Sequence, residues 1–280
     1  MNRPFSRHGA TLLAALYAAL HVAQPAHAAE PAANLLPTAA PPEALARLIA
    51  AYPDALERID GRDLVWRDGT RMDLDDGHQG RPTGDSLDHA SIADMLAQPY
   101  PAGDPHRPPL PGADPGRARN EAFFNKLYGD CTKGTVTPHL TSVAWLPKHG
   151  GLQVKMTALH GVADRLAAVS RRLDELRDRD VPYLIPTSGT YACRRIAGTG
   201  RVSAHGYGIA IDIAARNAHY WRWSKAGPGG ALVYANEIPA EIVAAFEVEG
   251  FIWGGRWSHY DTMHFEYRPE LFPPPVTGPK

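Results

Sequence analysis

Residues 203–212 read Ser203-Ala204-His205-Gly206-Tyr207-Gly208-Ile209-Ala210-Ile211-Asp212. Two glycines bracket a turn, and an apolar run with β-branched residues follows, so residues 209–214 are expected to form a strand. His205 lies in the turn and Asp212 in the strand. Gly208 and Ala210 keep the backbone between them slim enough for another strand or a ligand to approach. A second stretch, Asp261-Thr262-Met263-His264-Phe265-Glu266, predicts a final strand over 263–267 that presents His264. Two imidazoles and one carboxylate, with water as fourth ligand, form the open tetrahedral arrangement of catalytic zinc. The chain has 13 histidines, and by spacing alone His205 also reads as a turn residue and His264 as a satisfied core histidine.

Outward from this pair the pattern is mixed. Residues 160–178 place Val162, Leu166, Val169, Leu173 and Leu176 at helical spacing with charges between them. Residues 239–249 predict a second helix, with Pro239 near its first turn and Gly250 as its stop. Strands are expected within 136–146 and over 183–187. Towards the N-terminus, 46–58 predicts a short helix broken by Pro53, and 62–72 a hairpin around Asp68-Gly69. Seven prolines in 99–118 exclude a helix there and predict a surface loop, a lid or a wrap. Strands and helices in this order predict an α+β fold: a small antiparallel sheet with flanking helices carrying a zinc site, plus a loop-rich N-terminal extension.

Composition agrees with a globular chain: 280 residues, 44% hydrophobic and 21% charged. A formal net charge of −1 argues against a nucleic-acid partner. At the start, Arg3 and Arg7 precede an apolar run over 10–23, and Ala26-His27-Ala28 has the pattern of a cleavage site. Residues 1–28 are therefore expected to be a signal peptide, with no membrane span after its removal and a periplasmic or secreted mature protein. Residues 29–45, rich in alanine and proline, read as a flexible leader. Residues 46–130 read as an N-terminal extension packed on the core, 131–271 as the catalytic domain and 272–280 as a disordered tail. In an oxidising compartment Cys131 and Cys193 read either as a disulfide or as two separate buried thiols.

The motif Ser-x-His-x-x-Gly-x-Ala-x-Asp at 203–212, with the later Asp-x-x-His-Phe-Glu at 261–266, resembles the D-alanyl-D-alanine carboxypeptidase and L-alanyl-D-glutamate endopeptidase family of zinc peptidases, the VanY-like group. Gly189-Thr190-Tyr191-Ala192-Cys193-Arg194 resembles that family's Gly-x-Tyr-x-x-Arg segment. Phe251-Ile252-Trp253-Gly254-Gly255-Arg256-Trp257 resembles the aromatic-glycine segment before the last ligand. The resemblance covers about residues 160–268. It implies zinc on His205, Asp212 and His264 and a catalytic acid/base at Asp261, where many relatives carry Glu. It also implies substrate contacts at Arg194, Ser203 and Tyr191, Arg194 gripping a carboxylate. The implied function is hydrolysis of amide bonds in peptidoglycan stem peptides or other short peptides containing D-amino acids. The alternative is a non-catalytic wall-binding module with the same fold. Glu266, two residues after His264, would share its face of the strand, as support for a ligand imidazole or as the acid/base in place of Asp261.

Overall fold

The computed structural model describes residues 40–77, 87–225, 227 and 232–273. The expected signal peptide, most of the leader and the end of the tail lie outside the described residues. Helix α1 (Pro42–Ala51) follows Pro41, which sits at the N-cap. It begins inside the stretch read as leader, because proline in the first turn is compatible with a helix start. It ends before Pro53, and the residues after it form a strand rather than continuing the helix. Strands β1 (Leu56–Asp60), β2 (Asp63–Trp66) and β3 (Arg71–Asp73) make an antiparallel sheet. The expected hairpin at Asp68-Gly69 joins β2 to β3, with Gly69 at φ 82°.

Helix α2 (Ile92–Leu96) starts on a reciprocal cap between Ser91 and Asp94. Helix α3 (Glu121–Tyr128) is capped by the Asn120 side chain, which accepts from the Phe123 amide. Between them the proline-rich segment forms no helix and runs against the 254–259 segment as a strap. Ser258 N donates to Ala113 O (2.7 Å), Trp257 Nε1 to Pro115 O (2.7 Å) and His259 N to Asp114 Oδ1 (3.0 Å). The crossing is tight at Gly116, with φ 85°, where an added Cβ would lie 2.4 Å from Ile252 Cδ1.

Strands β4 (Leu140–Trp145) and β5 (Leu152–Thr157) pair antiparallel, and helix α4 (Val162–Leu173) packs on them. Its buried face carries Val162, Leu166, Val169 and Leu173, four of the five periodic residues read from the sequence; Leu176 lies beyond its end. Each fully buried side chain of this kind is worth about 1.5–3 kcal/mol against exposure. Residues 183–187 do not form the expected strand. Pro182 lies in a short 3₁₀ segment (Asp178–Tyr183), and the Ile185–Pro186 peptide is cis. Proline at both positions removes ladder donors. Helix α5 (Ala240–Glu247) follows Pro239 at its N-cap, and Gly250 at φ 85° terminates it as expected.

The third sheet is antiparallel, in the order β6 (Ala210–Asp212), β8 (His264–Tyr267), β7 (Phe251–Trp253). Mixed helices and small antiparallel sheets make the fold α+β, with three sheets among the described residues where one small sheet and a hairpin were expected. The buried cluster runs from Ala44 to Leu271 and includes Tyr52, Trp66 and Phe123 from the N-terminal part. Phe272, in the stretch read as tail, packs on Tyr100 with ring centroids 4.9 Å apart. Cys131 and Cys193 form a disulfide with Cα atoms 5.6 Å apart. It joins the turn after α3 to the segment that leads into His205.

Candidate metal centre

The β6–β8 register sets Asp212 directly opposite His264. His205 comes from the one-turn helix Ala204–Tyr207 just before β6, closed by Gly208 at φ 69°. A side chain at 208 would meet Leu140 Cδ2 at 2.9 Å and Thr157 N at 3.1 Å, so glycine is needed there both for the turn and for the close approach of β5. This local geometry folds His205 back over the end of the sheet. His205 Nε2 lies 3.3 Å from His264 Nδ1 and 3.2 Å from Asp212 Oδ2, and His264 Nδ1 lies 2.9 Å from Asp212 Oδ1. The three groups offer ligand atoms within 4.8 Å of one another.

The donor set fits zinc. Metal–ligand bonds of about 2.0–2.1 Å put tetrahedral ligand atoms about 3.3 Å apart, close to the separations found. The far side of each imidazole is also engaged. His205 Nδ1 donates to Thr190 O, and His264 Nε2 donates to Glu266 Oε2 at 3.0 Å. Those bonds leave His205 Nε2 and His264 Nδ1 as the nitrogens facing the common point. The Thr190 carbonyl is held there because Gly189 bridges Asp212 and the Asp212 amide donates to Gly189 O (2.8 Å).

The ionised Asp212 favours positive charge at the common point, which His264 carries as a proton when no metal is bound. Burial raises the Asp212 carboxyl, but hydrogen bonds and charge from His205 and His264 outweigh this and hold it far below the usual range. Burial lowers His264, and bonds to Asp212 and Glu266 more than offset it, pushing the imidazole up to about 10. Asp261 differs. Burial raises it to about 6, with Asp212 adding to the rise and His264 and His205 opposing it. Its Oδ1 is buried without a hydrogen-bond partner among the described residues. It sits at the turn into β8, where its carbonyl accepts the His264 amide (3.2 Å).

The residues expected to touch substrate lie on the adjoining segments. Ser203 is buried at the start of the His205 turn. Tyr191 is half-buried against the core. Arg194 is exposed, its carbonyl accepting from the Ser203 amide, and no ion pair of its side chain is present among the described residues. Glu266 occupies the supporting position, bonded to His264 and not free to act as a base.

Two arginines on the strap escaped the sequence reading. Arg119 binds Glu266 (3.1 Å). Arg117 stacks over Trp257, 5.7 Å from its ring, and Trp257 in turn lies 5.5 Å from the His264 ring. The charge of Arg117 also lowers Asp261. No local motif marks these residues, since a proline-rich loop gives no periodic signal; only its density of prolines hinted at a wrap.

Residues 197–267 match the model of a D-alanyl-D-alanine carboxypeptidase family of the M15 peptidases. This segment spans His205, Asp212, Asp261 and His264, and the 189–194 stretch with Tyr191 and Arg194 lies outside it. No curated protein and no solved structure gave a significant match.

Proposed function

We propose that the chain is a zinc-dependent peptidase that hydrolyses amide bonds in peptidoglycan stem peptides. The observation that carries this reading is the convergence of His205 Nε2, Asp212 and His264 Nδ1 on one point beside a carboxyl raised to about 6. When bound there, zinc would supply a Lewis acid and a water acidified towards neutrality.

The chain's own residues do the rest. Thr190 O and Glu266 hold the two imidazoles in the tautomers that present lone pairs to the ion. Asp261 is the proton carrier. Burial makes its carboxyl more basic than a free aspartate, which suits a group that must take up a proton and keep it until it is delivered to the leaving amine. Its unpartnered oxygen leaves an acceptor free for that task. A wall-binding module without catalysis has no use for such a costly group, which favours the enzyme. Substrate carboxylates are recognised by planar guanidinium groups. We assign that role to Arg194 on the exposed loop, with Arg117, stacked on Trp257, as the second candidate. The Cys131–Cys193 disulfide suits a periplasmic or secreted protein. No helix among the described residues is long and apolar enough to cross a membrane.

The test is stoichiometric zinc uptake by the purified chain, with mass spectrometry of peptidoglycan fragments after digestion. His205→Ala and His264→Ala are expected to lose both metal and cleavage, and Asp261→Ala to lose cleavage while keeping metal. Absence of zinc from the wild type, or intact cleavage in either histidine variant, overturns the proposal.

A further inference from the structure

Glu266, which orients His264, is fully buried and ionised, and its two oxygens have different partners. Oε1 accepts from Arg268 Nη1 at 3.2 Å and from Arg119 Nη1 at 3.2 Å. Oε2, the oxygen that accepts from His264 Nε2, is held at 3.1 Å by Arg119 alone among the described arginines. Arg268 is already committed elsewhere. Its Nε donates to Glu270 Oε1, and its Nη1 also donates to Gly116 O at 2.7 Å. Glu270 in turn accepts from Tyr52 OH at 2.8 Å. A chain of buried charges thus runs from the metal site to helix α1. One of its cations, Arg119, comes from the strap and lies outside the 197–267 segment.

We propose that Arg119 is a positioning residue of the metal site: by bridging both oxygens of Glu266 it holds Oε2 against His264 and so sets the direction of the ligand nitrogen. The strap is then part of the metal centre. A buried carboxylate with one flexible torsion can turn its plane, and Arg268 alone, bonded to Oε1, leaves Oε2 free to swing off the imidazole. Arg119 cannot swing with it, because its own side chain is buried and its Nη1 also approaches Gly116 O. Loss of a hydrogen bond that orients a ligand histidine typically weakens metal binding by about 10- to 100-fold. Arg119 reaches both oxygens through one nitrogen, Nη1; lysine would keep the charge, but its flexible stem is one bond shorter and its donor falls short of that point.

The inference rests on the zinc reading above, and the experiment separates the two. Zinc dissociation constants are measured on the full chain by chelator competition for wild type, Arg119→Met, Arg119→Lys and His205→Ala. The cobalt(II) absorption spectrum and the melting temperature of the metal-free protein are recorded for each. If wild type takes up no zinc, the proposed function fails. If it does, Arg119→Met is expected to bind zinc about 10- to 100-fold more weakly and Arg119→Lys at least about threefold more weakly, each with a shifted cobalt band. Arg119→Lys keeps Glu266 paired and is expected to fold even if Arg119→Met does not. A change below about threefold in either folded variant, or an unshifted cobalt band, overturns the role of Arg119. A drop in melting temperature alone, with metal binding unchanged, would mark it as merely structural.

Discussion

Replacing Asp261 by asparagine is expected to stabilise the metal-free protein while destroying its activity. The carboxyl is raised from 3.8 to about 6, chiefly by burial. Each pKa unit is worth about 1.4 kcal/mol, so ionising Asp261 in the folded chain costs about 3 kcal/mol, and the partial exposure of the residue trims this to about 2–3 kcal/mol. The sign follows from proton linkage. Between pH 3.8 and about 6 the folded state holds the proton that the unfolded state has released, so rising pH erodes stability across this window. Below it no penalty exists, and above it the penalty is complete. An asparagine side chain is neutral throughout and close in shape. The difference in unfolding free energy between variant and wild type should therefore be near zero at about pH 3.5 and grow to about 2–3 kcal/mol in favour of the variant by about pH 7.5. Urea denaturation in chelator across this pH range measures it. In the folded chain His264 titrates above this window and Asp212 and Glu266 below it, so the slope of the difference across the window reports Asp261. Activity with metal restored should fall by about 10²–10⁴-fold, the usual contribution of a general acid/base. A difference that stays flat with pH, or a variant less stable than wild type at neutral pH, would refute the idea that burial strains this carboxyl.

Three further outcomes are expected. Metal-free His264, held near 10 by Asp212 and Glu266, is protonated at neutral pH, so zinc must displace about one proton from it and affinity should fall about tenfold for each unit of pH lost between about 8 and 6; calorimetry in buffers of different ionisation enthalpy reads the proton count, and zero release contradicts the arrangement. Replacing Cys131 and Cys193 together by serine frees a loop of 62 residues, with an expected loss of about 4 kcal/mol by the chain-entropy estimate; an unchanged melting temperature would show that the loop stays closed without the bond. Gly116→Ala forces a Cβ to within 2.4 Å of Ile252 Cδ1 at a φ of 85°, so a loss of about 1–3 kcal/mol is expected, together with weaker zinc binding as the strap shifts; wild-type stability in this variant would show that the crossing is loose.

The α4 and α5 helices can be read from the chain because each is marked locally, whereas the set of His205, Asp212, His264 and Asp261 was singled out by motifs that resemble a known family. Glycine turns, a strand period of two and a helix period of 3.6 are written into neighbouring residues. The placement of Glu266 on the face of His264 follows from that same strand period. Elements without such marks are misplaced or missed. The sequence places the first residues of β1 in a helix because Leu56 and its neighbours carry no clean alternation, and no local pattern announces β5 or β7. The expected strand at 183–187 fails because two prolines cancel the preference of Tyr183 and Ile185 for extended structure.

The amino-acid order by itself determined where the helices and the strands around His205 and His264 would fall, because backbone periodicity is a local property, and its motifs nominated the side chains that could ligate. It left open whether Cys131 meets Cys193, which carbonyl fixes His205, and which cation neutralises Glu266. Those answers belong to the tertiary structure. They depend on segments distant in sequence — the strap at 113–119, the loop at 188–190 and the β8 strand — being packed against one another, and a buried charge takes its partner from whatever the fold brings within reach.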